Sequence, residues 1–179
     1  MNTTKQRLLL LSDLWGKEKS DWITYYTSIL ENHFEIEYYD SCDLGTIDKS
    51  DYSEENLHHQ FVNGGIDRAV STLIQKEKQK ISVLGFSIGG TIAWKAALLG
   101  LKIENLFAIS STRLRHETEK PLGKIKLFYG ENDTFRPNND WVNKMNLEQN
   151  LIPNQDHECY TNEEIAQKIC KIIVAEMTK

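Results

Sequence analysis

A serine acts as a nucleophile when its hydroxyl stands clear of the chain and a base can take its proton. Gly85-Phe86-Ser87-Ile88-Gly89 is the segment of this sequence that suits the first condition. The apolar run 81–84 reads as a strand before it. Residues 91–99 read as a helix after it, with Ala93, Ala96 and Ala97 small enough to lie flat on a sheet. At such a turn the Ser takes a strained backbone, and the flanking glycines remove side chains that would strike the neighbouring strand and helix. Gly89 and Gly90 also leave the first helical N–H groups open, with the positive end of the helix dipole aimed where an oxyanion would form. Two phosphate-binding uses of the same glycines fail on named residues. A P-loop needs Lys where Thr91 follows Gly90. A dinucleotide fingerprint needs Gly where Ser87 stands and an acid closing the next strand, whereas Glu104 precedes that strand.

A base and an orienting acid must lie elsewhere in the chain. Downstream of Ser87 the histidines are His116, in a charged segment Arg113-Leu114-Arg115-His116-Glu117, and His157, between the last strand and the C-terminal helix. His157 is the expected base, because residues at the carboxyl ends of parallel strands converge on one edge of the sheet. An imidazole, with an ordinary pKa of ~6.5, can accept a hydroxyl proton at neutral pH. Asp133 in Gly130-Glu131-Asn132-Asp133 is the expected acid, since one helix and one strand fit between it and His157. Glu131 and Asp140 compete in the same region, while Asp156 is poorly placed to turn its carboxylate onto the adjacent ring.

The elements that would carry these residues alternate in hydrophobic period. Strands are expected at 7–11, 35–39, 81–84, 105–109, 125–129 and 148–152. Helices are expected from Ser20, as N-cap, through Leu30, over 57–80 with an interruption at Gly64-Gly65, over 91–99 and 140–145, and from a capping box Thr161-x-x-Glu164 to the C-terminus. Residues 40–56 read as a solvated acidic loop with no chemistry. Six strands alternating with helices predict an α/β fold, a mostly parallel sheet covered on both faces, in one domain over 1–179.

With its Gly-x-Ser-x-Gly turn, the chain order Ser, Asp, His and the acid loop Gly130-x-x-Asp133-x-x-x-Pro137, the chain resembles the α/β-hydrolase superfamily over nearly its whole length. The resemblance implies strand order 2-1-3-4-5-6, with Ser87 as nucleophile, His157 as general base and then acid, and Asp133 fixing the imidazole tautomer. It implies an oxyanion hole from the Ile88 N–H and a second N–H in Ser12-Asp13-Leu14-Trp15-Gly16, with Leu14 the choice and Trp15 the alternative. Ser12-Asp13 stands where the family usually has His-Gly. Too few residues separate the fourth and fifth strands for a cap domain.

The 179 residues are 40% hydrophobic and 26% charged, which suits one packed core and excludes a disordered chain. The net charge of −5 gives no electrostatic footprint for nucleic acid. No apolar run approaches the ~20 residues that span a bilayer, and the N-terminal segment lacks a secretory pattern, so a cytoplasmic protein without a membrane partner is expected. Cys42, Cys159 and Cys170 form no metal-binding spacing; no metal and no cofactor are expected. The expected partner is a small acyl substrate. Hydrolysis of an ester or thioester leads, with acyl transfer by the same residues or a non-catalytic binding role as alternatives. Leu14, Trp15, Phe86, Phe135 and Trp141 are candidate pocket residues, and Arg113, Arg115 and Arg136 could face an anionic substrate.

Overall fold

A computed structural model describes residues 5–178; the expected domain limits at 1 and 179 and the first four residues of the N-terminal segment lie outside these. Six parallel strands form one sheet: β1 (Gln6–Leu11), β2 (Phe34–Tyr39), β3 (Ile81–Phe86), β4 (Ile103–Ile109), β5 (Lys124–Gly130) and β6 (Gln149–Ile152), in the order β2-β1-β3-β4-β5-β6. This is the expected class and strand order. Helices α1 (Thr24–Leu30), α2 (Ser41–Gly45), α3 (Glu54–Gln60), α4 (Ile66–Lys76), α5 (Ile88–Leu98), α6 (Asn139–Met145) and α7 (Glu163–Met177) connect and cover the strands.

The strands sort their apolar residues by the two-residue period of a pleated sheet. Leu9, Leu11, Ile81, Val83 and Leu106 pack with α4, α5 and α6 on one face; Leu8, Leu10, Leu84, Phe86 and Phe107 pack with α1 and α7 on the other. Both faces are buried, which is why these strands read as unbroken apolar runs. The reversal of strand order beside β1 and β3 places the loop after β1 next to the turn after β3, the crevice where open parallel sheets assemble sites.

Several local expectations are corrected. Ser20 does not cap α1: its Oγ donates to the Lys17 carbonyl and pairs with the Tyr38 hydroxyl (2.8 Å), and a 3₁₀ turn, Asp21–Ile23, intervenes. Asn162, not Thr161, caps α7, its Oδ1 accepting from Ile165 N, while Thr161 Oγ1 turns back to the Glu158 carbonyl. Part of the acidic stretch folds: Asp40 is buried and accepts from the N–H groups of Lys17, Cys42 and Asp43, which caps α2. The interruption expected at Gly64-Gly65 is present: at Gly64 (φ +105°) the chain kinks, separating α3 from α4.

Candidate active site

Ser87 sits between β3 and α5 at φ 49°, ψ −112°, a region sparsely populated by residues with a side chain. The surroundings enforce it. A Cβ on Gly85 would stand 2.5 Å from Gly90 Cα, one on Gly89 2.6 Å from the carbonyl oxygens of Leu11 and Ser12, and one on Gly90 2.0 Å from Ser111 Oγ. The start of α5 therefore touches the sheet backbone directly. Ser87 N donates to the Ile109 carbonyl (2.8 Å), extending the β3–β4 ladder, and its side chain makes no capping bond. The Oγ instead meets His157 Nε2 at 3.1 Å.

His157 and Asp133 arrive on two loops stitched together by backbone. Glu131 N donates to the Ile152 carbonyl (3.0 Å) and Asn132 N to that of Gln155 (2.8 Å). Gly130 permits this approach, since a Cβ there would lie 2.2 Å from the Asp156 carbonyl oxygen. Asp133 is buried; its Oδ2 lies 2.8 Å from His157 Nδ1 and its Oδ1 accepts from Phe135 N (3.0 Å). A carboxylate only accepts, so Nδ1 carries the ring hydrogen and Nε2 presents its lone pair to the Ser87 hydroxyl. Of the competing acids, Glu131 is exposed and accepts from Asn154 N, Asp140 is exposed in the first turn of α6, and Asp156 accepts from Glu158 N. His116 is exposed at the end of a 3₁₀ turn, Thr112–His116.

Beside Ser87 the Ile88 N–H opens α5, where a helix leaves its N–H groups without intrahelical acceptors. Across the crevice, Trp15 N donates to Asp13 Oδ1 (2.9 Å) and is thereby occupied, whereas Leu14 N has no acceptor among the described residues. Asp13 was not singled out in sequence, yet it is buried (2% exposed) and its Oδ2 also accepts from the Tyr160 hydroxyl (3.0 Å). Burial pushes its carboxyl up to about 6, against the pull of those two hydrogen bonds. The loop carrying Leu14 is thus tied to the segment that follows His157.

A cleft of about 420 Å³ opens above Ser87 and His157, walled by Leu14, Phe61, Ile88, Thr112, Arg113 and Phe135 among others. Phe135, 64% exposed, takes the expected lining position. Three other aromatic candidates are corrected. Phe86 shares the inward face with Leu84 and is buried against Trp22, Tyr26 and Tyr160. Trp15 packs edge-on against Tyr52 and under the Lys19 ammonium, outside the cleft lining. Trp141 is core, its Nε1 donating to the Glu117 carbonyl. Arg113 and Arg115 do line the cleft; Arg136 instead donates to Gln149 Oε1. His58 and Glu54, on the acidic side of α3, also reach the cleft, and no sequence spacing linked them to Ser87. Among the described residues no group of His, Cys, Asp and Glu could hold a metal ion, and no helix is long and apolar enough to cross a membrane.

No family model and no curated protein matches the chain in sequence. Solved structures match it in shape. Alpha/beta hydrolase domain-containing protein 10 from mouse superposes with a TM-score of 0.70 at 11% identity, over 99% of this chain and 92% of its own. Est1E from Butyrivibrio proteoclasticus with ferulic acid bound gives 0.67 at 12% identity, over 98% and 91%. A serine hydrolase without a lid from Xanthomonas campestris gives 0.61 at 13% identity, over 98% and 84%. Here too only residues 110–123 join β4 to β5. The chain has the α/β-hydrolase fold, with no cap inserted among its described residues.

Proposed function

We propose that this protein is a serine hydrolase that cleaves a small acyl ester or thioester through an acyl-enzyme. The observation that carries the reading is the relay from Ser87 Oγ to His157 Nε2 (3.1 Å) and from His157 Nδ1 to Asp133 Oδ2 (2.8 Å) at the mouth of a cleft. Ser87 Oγ attacks the substrate carbonyl carbon while its proton passes to His157 Nε2. The resulting oxyanion is received by the Ile88 and Leu14 N–H groups, and Asp133 stabilises the imidazolium without taking its proton. Collapse breaks the bond to the alcohol or thiol, which leaves with the proton from Nε2. Water then gives a proton to His157 and its oxygen to the acyl carbon, and the second collapse returns the proton to Ser87 and releases the acid.

A fluorophosphonate probe tests the reading. The native protein is expected to be labelled, Ser87→Ala not at all, and His157→Ala at a rate lower by about 10³-fold or more, with His116→Ala unaffected. No labelling of native protein, or equal labelling of Ser87→Ala, removes the hydrolase reading. Loss of labelling in His116→Ala with retention in His157→Ala would show that the base is the other imidazole.

A further inference from the structure

The wall of the cleft formed after β4 carries two guanidinium groups whose charges the protein leaves unanswered. Thr112–His116 is a rigid turn: Leu114 at its centre is fully buried, the Tyr129 hydroxyl donates to the Ser111 carbonyl (3.0 Å) and Trp141 Nε1 to the Glu117 carbonyl (2.8 Å). Arg113 and Arg115 both project from this turn into the cleft that holds Ser87. Arg115 is anchored through Nη1, which donates to the carbonyls of Thr112 (2.9 Å) and Phe135 (3.4 Å), with its guanidinium 5.6 Å from the Phe135 ring centre. Its Nε and Nη2 have no acceptor among the described residues, and Arg113 has no hydrogen bond or ion pair among them at all.

Burial and then the neighbouring Arg115 pull the Arg113 pKa below the usual arginine range, so the pair is a source of electrostatic strain in the free protein. The carboxylate that offsets this, Glu117, is itself paired with Lys95 at 3.1 Å. Glu54 and Glu158 line the same cleft, and neither comes within ion-pair distance of either arginine. His58, which lines the same cleft, is pushed down by burial and by both arginines, against the pull of Glu54. Half-buried guanidinium edges with open donors match planar oxyanions, above all a carboxylate held by two N–H groups.

Resting on the hydrolase reading, we infer that the ester accepted by this cleft carries a carboxylate on one side of the scissile bond, received by Arg113 and the free edge of Arg115. A cleft of about 420 Å³ is near the lower end of the ~300–1,000 Å³ range of small-molecule sites. That space suits a half-ester of a short dicarboxylic acid or an acyl ester of a small hydroxy acid. An anion bound there turns the unfavourable pairing of like charges into binding energy that a neutral ester of the same shape cannot draw on.

The experiment measures kcat/KM on two matched pairs. 4-Nitrophenyl hemiglutarate against 4-nitrophenyl valerate places the carboxylate on the acyl side, and 4-acetoxybenzoate against 4-acetoxybenzamide places it on the leaving side. One pair is expected to show a preference for the anion of about tenfold or more, the worth of a hydrogen bond to a charged group. The preference disappears in Arg113→Gln, which removes no internal bond, and persists in Arg136→Gln. No preference in either pair, a preference surviving Arg113→Gln with Arg115→Gln, or a preference for a choline ester over both pairs overturns the inference; the last would assign the cleft to Glu54 and Glu158. Calorimetric titration of Ser87→Ala with monomethyl and dimethyl glutarate separates this result from the hydrolase reading. Binding of the monoester alone, lost on Arg113→Gln, supports the anion site even where Ser87 fails to label. Turnover of neutral esters with no anion preference and no monoester binding overturns the site and leaves the hydrolase reading standing.

Discussion

Asp13 and Asp133 both carry buried carboxyl groups in the loops around Ser87, and their surroundings differ. Asp133 accepts from His157 and from Phe135 N, so its charge is answered by the imidazole and the loop backbone. Asp13 accepts from Trp15 N and the Tyr160 hydroxyl, two neutral donors, and burial dominates, holding its carboxyl at about 6. The linkage follows in sign. Between the ordinary carboxylate range near 4 and about 6, the folded protein binds more protons at Asp13 than the unfolded chain, so stability falls as pH rises through that window and the penalty is complete above it. Asn at this position keeps an acceptor for Trp15 N and cannot ionise. The stability of the native protein minus that of Asp13→Asn is therefore expected to drop by roughly 2 kcal/mol between pH 4 and pH 7, at ~1.4 kcal/mol per pKa unit. Urea unfolding of both proteins at the two pH values measures it; a pH-independent difference would refute it. Ser87, His157 and Asp133 were legible from residue type and chain order. The Asp13–Tyr160 bond was not, because its partners lie 147 residues apart with no motif between them. Phe86 was misread for a simpler reason: two residues after Leu84 on a buried strand, its side chain belongs to the same inward face.

At the scale of elements, the position of Ser87 depends on how closely α5 can press on β1. Gly89 is the contact point, 2.6 Å from two carbonyl oxygens if it bore a Cβ, and neither backbone can yield without moving the loop that presents Leu14. Gly89→Ala is expected to lower unfolding free energy by about 1–3 kcal/mol, as overpacking does. It is also expected to slow fluorophosphonate labelling at temperatures where the variant is still folded, because it displaces the Ile88 and Leu14 N–H groups relative to each other. Thermal unfolding and labelling rates on one preparation check both parts; a destabilised variant that labels at the native rate would separate this contact from the site. The strands and long helices were readable because buried strands are continuous apolar runs and helices repeat every three or four residues. The five residues of α2 are too few to show a period and lie inside an acidic run. The caps of α1 and α7 turned on one-residue choices that tertiary contacts decide: Ser20 is drawn to Tyr38, and Thr161 to the Glu158 carbonyl.

Across the whole molecule the sheet divides its labour between its two edges. The carboxyl ends of the strands hold strained Ser87, open N–H groups and unanswered guanidiniums, all of which cost stability. A network that begins at the opposite edge and reaches back to Tyr39, the last residue of β2, pairs its charges within the protein. Arg7 at the start of β1 binds Glu77 through Nη1 (3.0 Å) and Nη2 (3.1 Å) and also pairs with Glu37, and the Tyr39 hydroxyl donates to Glu77 at 2.8 Å. Burial alone would push the Glu77 carboxyl up; the bonds from Arg7 and Tyr39 outweigh it and hold it below the usual range. Arg7→Ala leaves a carboxylate 4% exposed with the Tyr39 hydroxyl as its remaining hydrogen bond and Lys76 as a nearby charge, which is expected to cost about 3 kcal/mol. A depressed carboxyl contributes stability that is present above its unfolded pKa and lost as pH falls through its folded one. The gap between native and Arg7→Ala should therefore narrow in acid, where a protonated Glu77 no longer needs the guanidinium. Labelling of Ser87 in folded Arg7→Ala should proceed at the native rate, since neither Arg7 nor its partners Glu37 and Glu77 nor Tyr39 lines the cleft. Chemical unfolding from pH 7 down to pH 3, with labelling at pH 7, decides the matter: a pH-independent gap would discharge Glu77 from this role, and a slowed Ser87 would show that the two edges are mechanically coupled.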